Sequence, residues 1–302
     1  MSESEHGNSG FSIGRYRHDA PRLEPGLYIV ATPIGNLRDI TVRALETLAA
    51  ADLIACEDTR VSRTLLNHFG ISARLIAYHE HNAERQTPVI TTALADGKCV
   101  ALISDAGTPL ISDPGYRLVT TCLDAGHVVV PIPGPSALTT ALCAAGLPTD
   151  RFLFSGFLPN KSAARRKQLS DLAAIQATLV FYEAPSRIVA SLDDMCACLG
   201  PQRTATLARE LTKRFEEFRH DTLENLATSV KDSPPKGEIV VMVAPDTPKE
   251  TGAQDLDALL TDLLSEHRLK DAVTEAVALT GLQKRMVYQR ALELSKAASD
   301  AP

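Results

Sequence analysis

No apolar run in this 302-residue chain reaches the roughly 18 residues that a membrane-spanning helix needs. Met1 to Gly10 is polar and lacks an apolar signal core, which predicts a protein that is not exported. Gly-x-Gly-x-x-Gly is missing, so an ordinary dinucleotide site is not expected. His-Glu-x-x-His is missing too, and His79-Glu80-His81-Asn82 offers two histidines with no third ligand at suitable spacing. Cys196-Ala197-Cys198 is too tightly spaced for a zinc knuckle and has no complementing Cys or His pair, so no metal is expected. The six cysteines read as reduced and structural, which predicts a cytoplasmic protein. A positive excess is also absent: the net charge of −6 argues against indiscriminate nucleic-acid binding through a wholly basic surface. Neither an internal repeat nor a low-complexity segment is present.

What is present is alternation. Residues 1–24 read as a flexible leader, and from there the pattern predicts strands at 27–31, 52–56, 74–77, 99–103 and 127–132. Amphipathic helices are predicted between them at 41–51, 61–69, 83–96 and 115–125, with one more over 135–145. Such alternation implies a mostly parallel sheet with helices on both faces, in a first α/β domain over 25–147. A second α/β domain over 148–245 carries strands at 152–157, 178–182, 204–209 and 238–244, with a further short strand near Glu216–His220. Its helices fall at 162–175, 186–199 and 222–231, and this half is expected to hold a mixed sheet. Past Pro245-Asp246-Thr247-Pro248 the pattern is helical only, at 255–266, 270–280 and 283–296, with Gly281 as a break; this is a C-terminal helical extension over 250–302. Its last two helices outline either a nucleic-acid reader or a packed hairpin.

Three strand ends run into small, rigid turns: Thr32-Pro33-Ile34-Gly35-Asn36, Ser104-Asp105-Ala106-Gly107-Thr108-Pro109 and Pro133-Gly134-Pro135-Ser136-Ala137. Strand ends of this kind are where α/β proteins hold ligands, and Gly107 lets a ligand approach the backbone. Glu57-Asp58-Thr59-Arg60 puts three charges at another strand end; it is either a site or a helix cap supplied by Thr59 or Ser62. Tyr182-Glu183-Ala184-Pro185-Ser186-Arg187 and Arg209-Glu210-Leu211-Thr212-Lys213 end strands of the second half with paired acids and bases. Basic clusters occur at Lys161, Arg165, Arg166 and Lys167, at Arg209, Lys213 and Arg214, and at Lys284, Arg285 and Arg290. Each is either a solvated helix face or part of a phosphate-binding surface.

Taken together, seven ordered segments resemble the tetrapyrrole methylase superfamily, and within it the branch that methylates small-subunit ribosomal RNA. They are Leu27–Asp39, Cys56–Arg60, Ser104–Gly115, Pro131–Ala137, Phe181–Arg187, Arg209–Lys213 and Lys236–Val241. The resemblance spans about 25–245, and the helical tail resembles that branch's C-terminal extension. It implies two α/β domains with S-adenosylmethionine in the cleft between them, a homodimer, and 2′-O-methylation of a cytidine in the decoding region of 16S ribosomal RNA, within the 30S subunit. Carried over by motif, the cofactor contacts are Ile34, Ala106, Gly107, Thr108, Ile111, Ser136, Ala137, Glu183 and Leu211. Corrin-making relatives have a glycine-rich first loop where this chain has Thr32 to Asn36, which points away from a porphyrin-like substrate.

Methyl transfer to a ribose hydroxyl calls for alignment and for a proton acceptor. The candidates are Glu57, Asp58, Glu183, Glu210 and a deprotonated Lys213; Arg60, Arg187 and Lys213 are candidates for gripping RNA phosphates. Two other functions fit the pattern: a C-methyltransferase of a tetrapyrrole or other small molecule, and a non-catalytic RNA-binding module. The basic clusters favour RNA over a ring, and the three glycine–proline loops argue against a dead pocket.

Overall fold

The structure, a computed structural model, describes residues 9–246, 253–280 and 282–299. It divides into two compact units, Met1–Ala244 and Pro245–Pro302. The first unit enters through an antiparallel hairpin of β1 (Gly10–Ile13) and β2 (Tyr16–Asp19). Phe11 is buried among Leu45 and Phe69, with Ala20 and Leu23 packed nearby, and the Ser12 amide donates to the Phe69 carbonyl at 2.7 Å. Residues 10–24 are therefore not a flexible leader: a few apolar side chains suffice to dock the hairpin. Residues 1–8 lie outside the described residues.

Five parallel strands follow: β3 (Gly26–Val30), β4 (Leu53–Cys56), β5 (Leu75–Ala77), β6 (Cys99–Ile103) and β7 (Val129–Ile132), in the order β5-β4-β6-β3-β7. Successive side chains point to opposite faces. Ile54, Cys56, Ala101 and Ile103 meet helices α1 (Val42–Ala50) and α2 (Thr59–His68) on one side. Leu53, Ala55, Val100 and Leu102 meet α3 (Ala83–Ala95) and α4 (Tyr116–Asp124) on the other. Both faces are covered, so the strands are unbroken aliphatic runs. The α1 connection leaves β3 towards β4, whereas the α4 connection leaves β6 towards β7. Neighbouring strands β3 and β6 thus flank the point where the winding reverses, the usual ligand crevice of such sheets.

After α5 (Ala137–Ala144) the chain builds a second sheet from β8 (Phe152–Phe157), β9 (Thr178–Glu183), β10 (Thr204–Arg209), β11 (Glu217–Thr222) and β12 (Ile239–Val243). The order is β11-β10-β12-β9-β8; β8 and β9 are parallel and the other pairs antiparallel. Helices α6 (Ser162–Leu172), α7 (Ile188–Leu199) and α8 (Leu223–Asp232) cover one face through Leu179, Phe181, Leu192, Leu207, Leu226 and Val241. On the opposite face, Val180, Ala208, Val240 and Met242 pack against Ala141 and Leu142 of α5 and against Ile34. The strand ends of the two sheets are brought together by this contact.

The second unit comprises α9 (Ala253–Glu266), α10 (Leu269–Thr280) and α11 (Lys284–Ser299). Leu256, Leu260, Val273, Ala276, Val287 and Ala291 form its core, and Arg290 grips Asp257 with two bonds of 2.7 and 2.6 Å. Thr247, Pro248 and the expected break at Gly281 lie outside the described residues.

Candidate active site

A cleft of about 580 Å³ opens where the strand ends of the two sheets meet. One wall is made by the loops after β3, β6 and β7. The other is made by the ends of β9 and β10 and by the start of β12. The first wall is stitched together by backbone. Thr32 and Gly107 donate to each other's carbonyls at 2.9 and 3.0 Å, and Thr32 Oγ1 donates to Ser104 O at 3.1 Å. Thr108 Oγ1 donates to Pro135 O at 3.1 Å, tying the second loop to the third. Gly107 sits at φ +84°, and a Cβ there would lie 3.2 Å from Ile34 Cγ2. Among the described residues, the non-glycine residues with positive φ are Leu110, Ser112, Glu210 and Thr212, all within the loops that border this cleft. Strained backbone of this kind persists only where surrounding structure over-determines it, and it gathers at ligand clamps.

Ile34, Ala106, Gly107, Thr108, Ile111, Ser136, Ala137 and Glu183 all line the cleft. Leu211 does not. Flanked by Glu210 and Thr212 at φ 50° and 63°, it is turned into the core beside Ile34, Val240 and Met242, behind the cleft wall.

The proton-acceptor candidates divide sharply. The Glu183 side chain is buried and fully engaged, accepting from Ser191 Oγ at 2.5 Å and from the Ala184 amide at 2.8 Å, with Arg187 Nε 3.2 Å away. Arg187 also donates to Leu158 O, so its guanidinium is turned inward rather than offered to a polyanion. Lys213 Nζ bridges Glu210 Oε1 at 2.9 Å and Glu238 Oε2 at 3.1 Å. Burial pulls its pKa down, but these two carboxylates outweigh burial and leave it raised, so Lys213 is an ammonium and not a base. Glu210 is held below the usual carboxylate range by the same bond. Two glycines make room for the bridge: a Cβ on Gly35 would collide with the Lys213 stem, and one on Gly237 would collide with the Glu210 carboxylate.

Glu57, Asp58 and Arg60 stand outside the cleft lining. Asp58, rather than Thr59 or Ser62, caps α2: it accepts from the Arg60 amide at 2.8 Å and pairs with the Arg60 guanidinium at 2.6 Å. Arg60 holds the Asp58 carboxyl down to about 2. Burial pushes Glu57 up, helped by Asp105 and Asp58 and opposed by His79. Among the described residues no group of three or more His, Cys, Asp or Glu side chains could hold a metal ion.

The cleft contains an acid that no sequence argument singled out. Asp113 lines it, and its pKa is pushed up to about 6, chiefly by burial. A hydrogen bond from Ser104 opposes the rise, and Glu57 and Asp105 add to it. The segment Ser112-Asp113-Pro114-Gly115 was a visible signal, an acid beside a proline after a glycine turn, but the neighbours that perturb it come from separate strand ends. Tyr182 also lines the cleft, and burial raises its phenol pKa.

Of the basic clusters, the first is split. Arg165 is buried, donating to Asp194 at 2.8 Å and to the carbonyls of Pro159, Asn160 and Ala190, while Lys161, Arg166 and Lys167 face solvent. Arg209 is taken up by Glu217 at 2.6 Å, and Arg214 is exposed beside Phe215. In the second unit Lys284 and Arg285 are exposed.

A model of the Tetrapyrrole (Corrin/Porphyrin) Methylases matches residues 26–227, the segment that carries both sheets up to α8 and all but the last strand. The chain belongs to the tetrapyrrole methylase family. It is accordingly a methyltransferase. A second model, the RsmI C-terminal HTH domain, matches residues 250–295. The Ribosomal RNA small subunit methyltransferase I of Mesorhizobium japonicum is 56% identical over 284 residues, covering 93% of this chain and 96% of that one. Among solved methylases, a cobalt precorrin-4 methyltransferase is similar with a TM-score of 0.57 at 17% identity, over 72% of this chain and 94% of that one. The uroporphyrin-III C-methyltransferase of Thermus thermophilus, complexed with S-adenosyl homocysteine, has a TM-score of 0.51 at 21% identity, over 72% of this chain and 96% of that one. At these identities the likeness to the two solved methylases is one of fold.

Proposed function

We propose that the protein transfers a methyl group from S-adenosylmethionine to the 2′-hydroxyl of a cytidine in the decoding region of 16S ribosomal RNA. The observation that carries the reading is similarity along almost the whole chain to a protein named for small-subunit ribosomal RNA methylation, joined to a formed cleft at the strand ends. The residues fit the cofactor. A volume of about 580 Å³ lies in the range that holds a nucleoside-sized ligand. Its first wall is apolar at Ile34, Ile111 and Ala137, and Gly107 leaves its backbone open to close approach.

Bound there, S-adenosylmethionine supplies an activated methyl group. The chain's own residues align and receive. The stitched loops at Thr32, Gly107 and Thr108 fix one wall, and the Glu183 and Lys213 networks fix the other. Asp113 is the group in the cleft suited to accept the hydroxyl proton, because a carboxyl near 6 is mostly ionised at pH 7 yet basic enough to act. Phosphate contacts come from exposed cations: Arg60 on α2, Lys161, Arg166 and Lys167 at the head of α6, and Lys284 with Arg285 in the second unit. On this reading the two sheets are two α/β domains, 25–147 and 148–245, and the enzyme is a cytoplasmic homodimer acting on the 30S subunit.

The test is transfer of tritiated methyl from S-adenosylmethionine to undermethylated 30S subunits, to free 16S RNA and to a precorrin-like ring. Label mapped to a cytidine 2′-oxygen in the subunit supports the function. Label on a ring carbon, or none on RNA, rejects it.

A further inference from the structure

We infer that Phe157 is a stacking platform for the base of the nucleotide being methylated; this rests on the RNA reading above. Strand β8 is irregular near its end. Phe154 is paired with Val180 on β9, and Phe157 with Tyr182: three residues advance on one strand while two advance on the other. One residue is therefore extra, and Gly156, at φ +62°, is the residue best able to take it up.

The bulge decides where Phe157 points. Along a regular strand, Leu153, Ser155 and Phe157 would share a face. Leu153 packs among the residues under α6 and α7, and Ser155 accepts a bond from Gln168 of α6 at 2.8 Å. An inserted residue flips all that follows to the opposite face. Phe157 thus joins Phe154 and Tyr182 on the cleft side, its ring 5.7 Å from that of Tyr182 at 67°. Phe154 meets the same tyrosine at 4.8 Å and 65°, so the three rings form a ladder from the core to the cleft.

The outer rung is covered by protein on one side only. Phe157 lines the cleft while 54% exposed, which leaves part of the ring open to a ligand held there. A Cβ at Gly156 would lie 3.4 Å from Ser112 Oγ, so the bulge brings this ring beside the loop that carries Asp113. RNA loops and ends present nucleotides whose bases are unstacked, and an aromatic face replaces the lost stacking without reading sequence.

The experiment compares wild type, Phe157→Ala and Phe157→Tyr in methyl transfer to undermethylated 30S subunits, with calorimetric titration of S-adenosylhomocysteine alongside. Phe157→Ala lowers kcat/KM for the subunits about 10- to 100-fold, the range set by loss of one base–aromatic stack. Phe157→Tyr restores most of it, and affinity for S-adenosylhomocysteine stays within about twofold. Full activity of Phe157→Ala, or an equal loss of S-adenosylhomocysteine affinity, overturns the platform while the wild type still methylates. Absence of transfer by the wild type instead rejects the RNA reading itself.

Discussion

Thr32 and Gly107 hold each other through a pair of backbone hydrogen bonds, 2.9 and 3.0 Å long, that join the loops after two adjacent strands at the reversal point of the first sheet. An isolated two-residue bridge of this kind fixes the loops as one rigid lip. Gly107 has to be glycine there, at φ +84° and with Ile34 close by. Gly107→Ala is expected to weaken S-adenosylhomocysteine binding at least tenfold, read by calorimetry, and to lower stability by about 1 kcal/mol or more, read by urea unfolding.

Asp113→Asn removes the proton acceptor without changing the shape of the side chain. Its kcat is expected to fall by about 10²- to 10⁴-fold, and the rise of rate with pH through about 6 is expected to vanish. Stability moves the other way. The folded pKa lies above the ordinary 3.8, so the folded state binds the proton more tightly than the unfolded chain does. The stabilisation is complete below about 4 and is lost as pH rises through about 6. Asparagine is therefore expected to be the more stable variant at pH 7, by about 1 kcal/mol once partial exposure is allowed for, as measured by thermal unfolding at pH 4 and pH 7.

Arg165 and Asp194 form a buried pair, 2.6 Å apart, with side chains 5% and 11% exposed. Removing the cation alone strands a carboxylate. Arg165→Ala is expected to cost about 3–5 kcal/mol in urea unfolding, whereas Arg165→Met combined with Asp194→Leu recovers most of it.

The sequence carried the regular parts of this architecture well, because Leu53-Ile54-Ala55-Cys56 and Val100-Ala101-Leu102-Ile103 are short aliphatic runs, each lying between polar residues, that fit central strands. The three loop motifs likewise announced the first cleft wall. Features set by long-range packing were not legible. Phe11 anchors the N-terminal hairpin through Leu45 and Phe69, which no local pattern reveals. The bulge at Gly156 hides inside a run that looks like an ordinary strand. Leu211 is withdrawn from the cleft by positive φ on both sides, and Asp113 becomes special only where Ser104, Glu57 and Asp105 converge.

Arg60 is the outlying cation of this set, its side chain 89% exposed and paired with Asp58 at the head of α2. Arg60→Ala is expected to weaken binding to 30S subunits and to reduce the salt dependence of that binding by about one phosphate contact, with the affinity for S-adenosylhomocysteine and the melting temperature unchanged. Filter binding across a salt series, set beside calorimetry, reads both quantities; an equal loss for the two ligands rejects this separation of roles.

Methyl donor bound between the two walls is the premise beneath the functional expectations, and a crystal of the protein grown with S-adenosylhomocysteine tests it at the atoms. Density for the ligand is expected within van der Waals contact of Gly107, Ala137 and Val240, residues drawn from both sheets' margins. Density lodged elsewhere on the chain, or saturating ligand that leaves this cleft unfilled, would contradict the account.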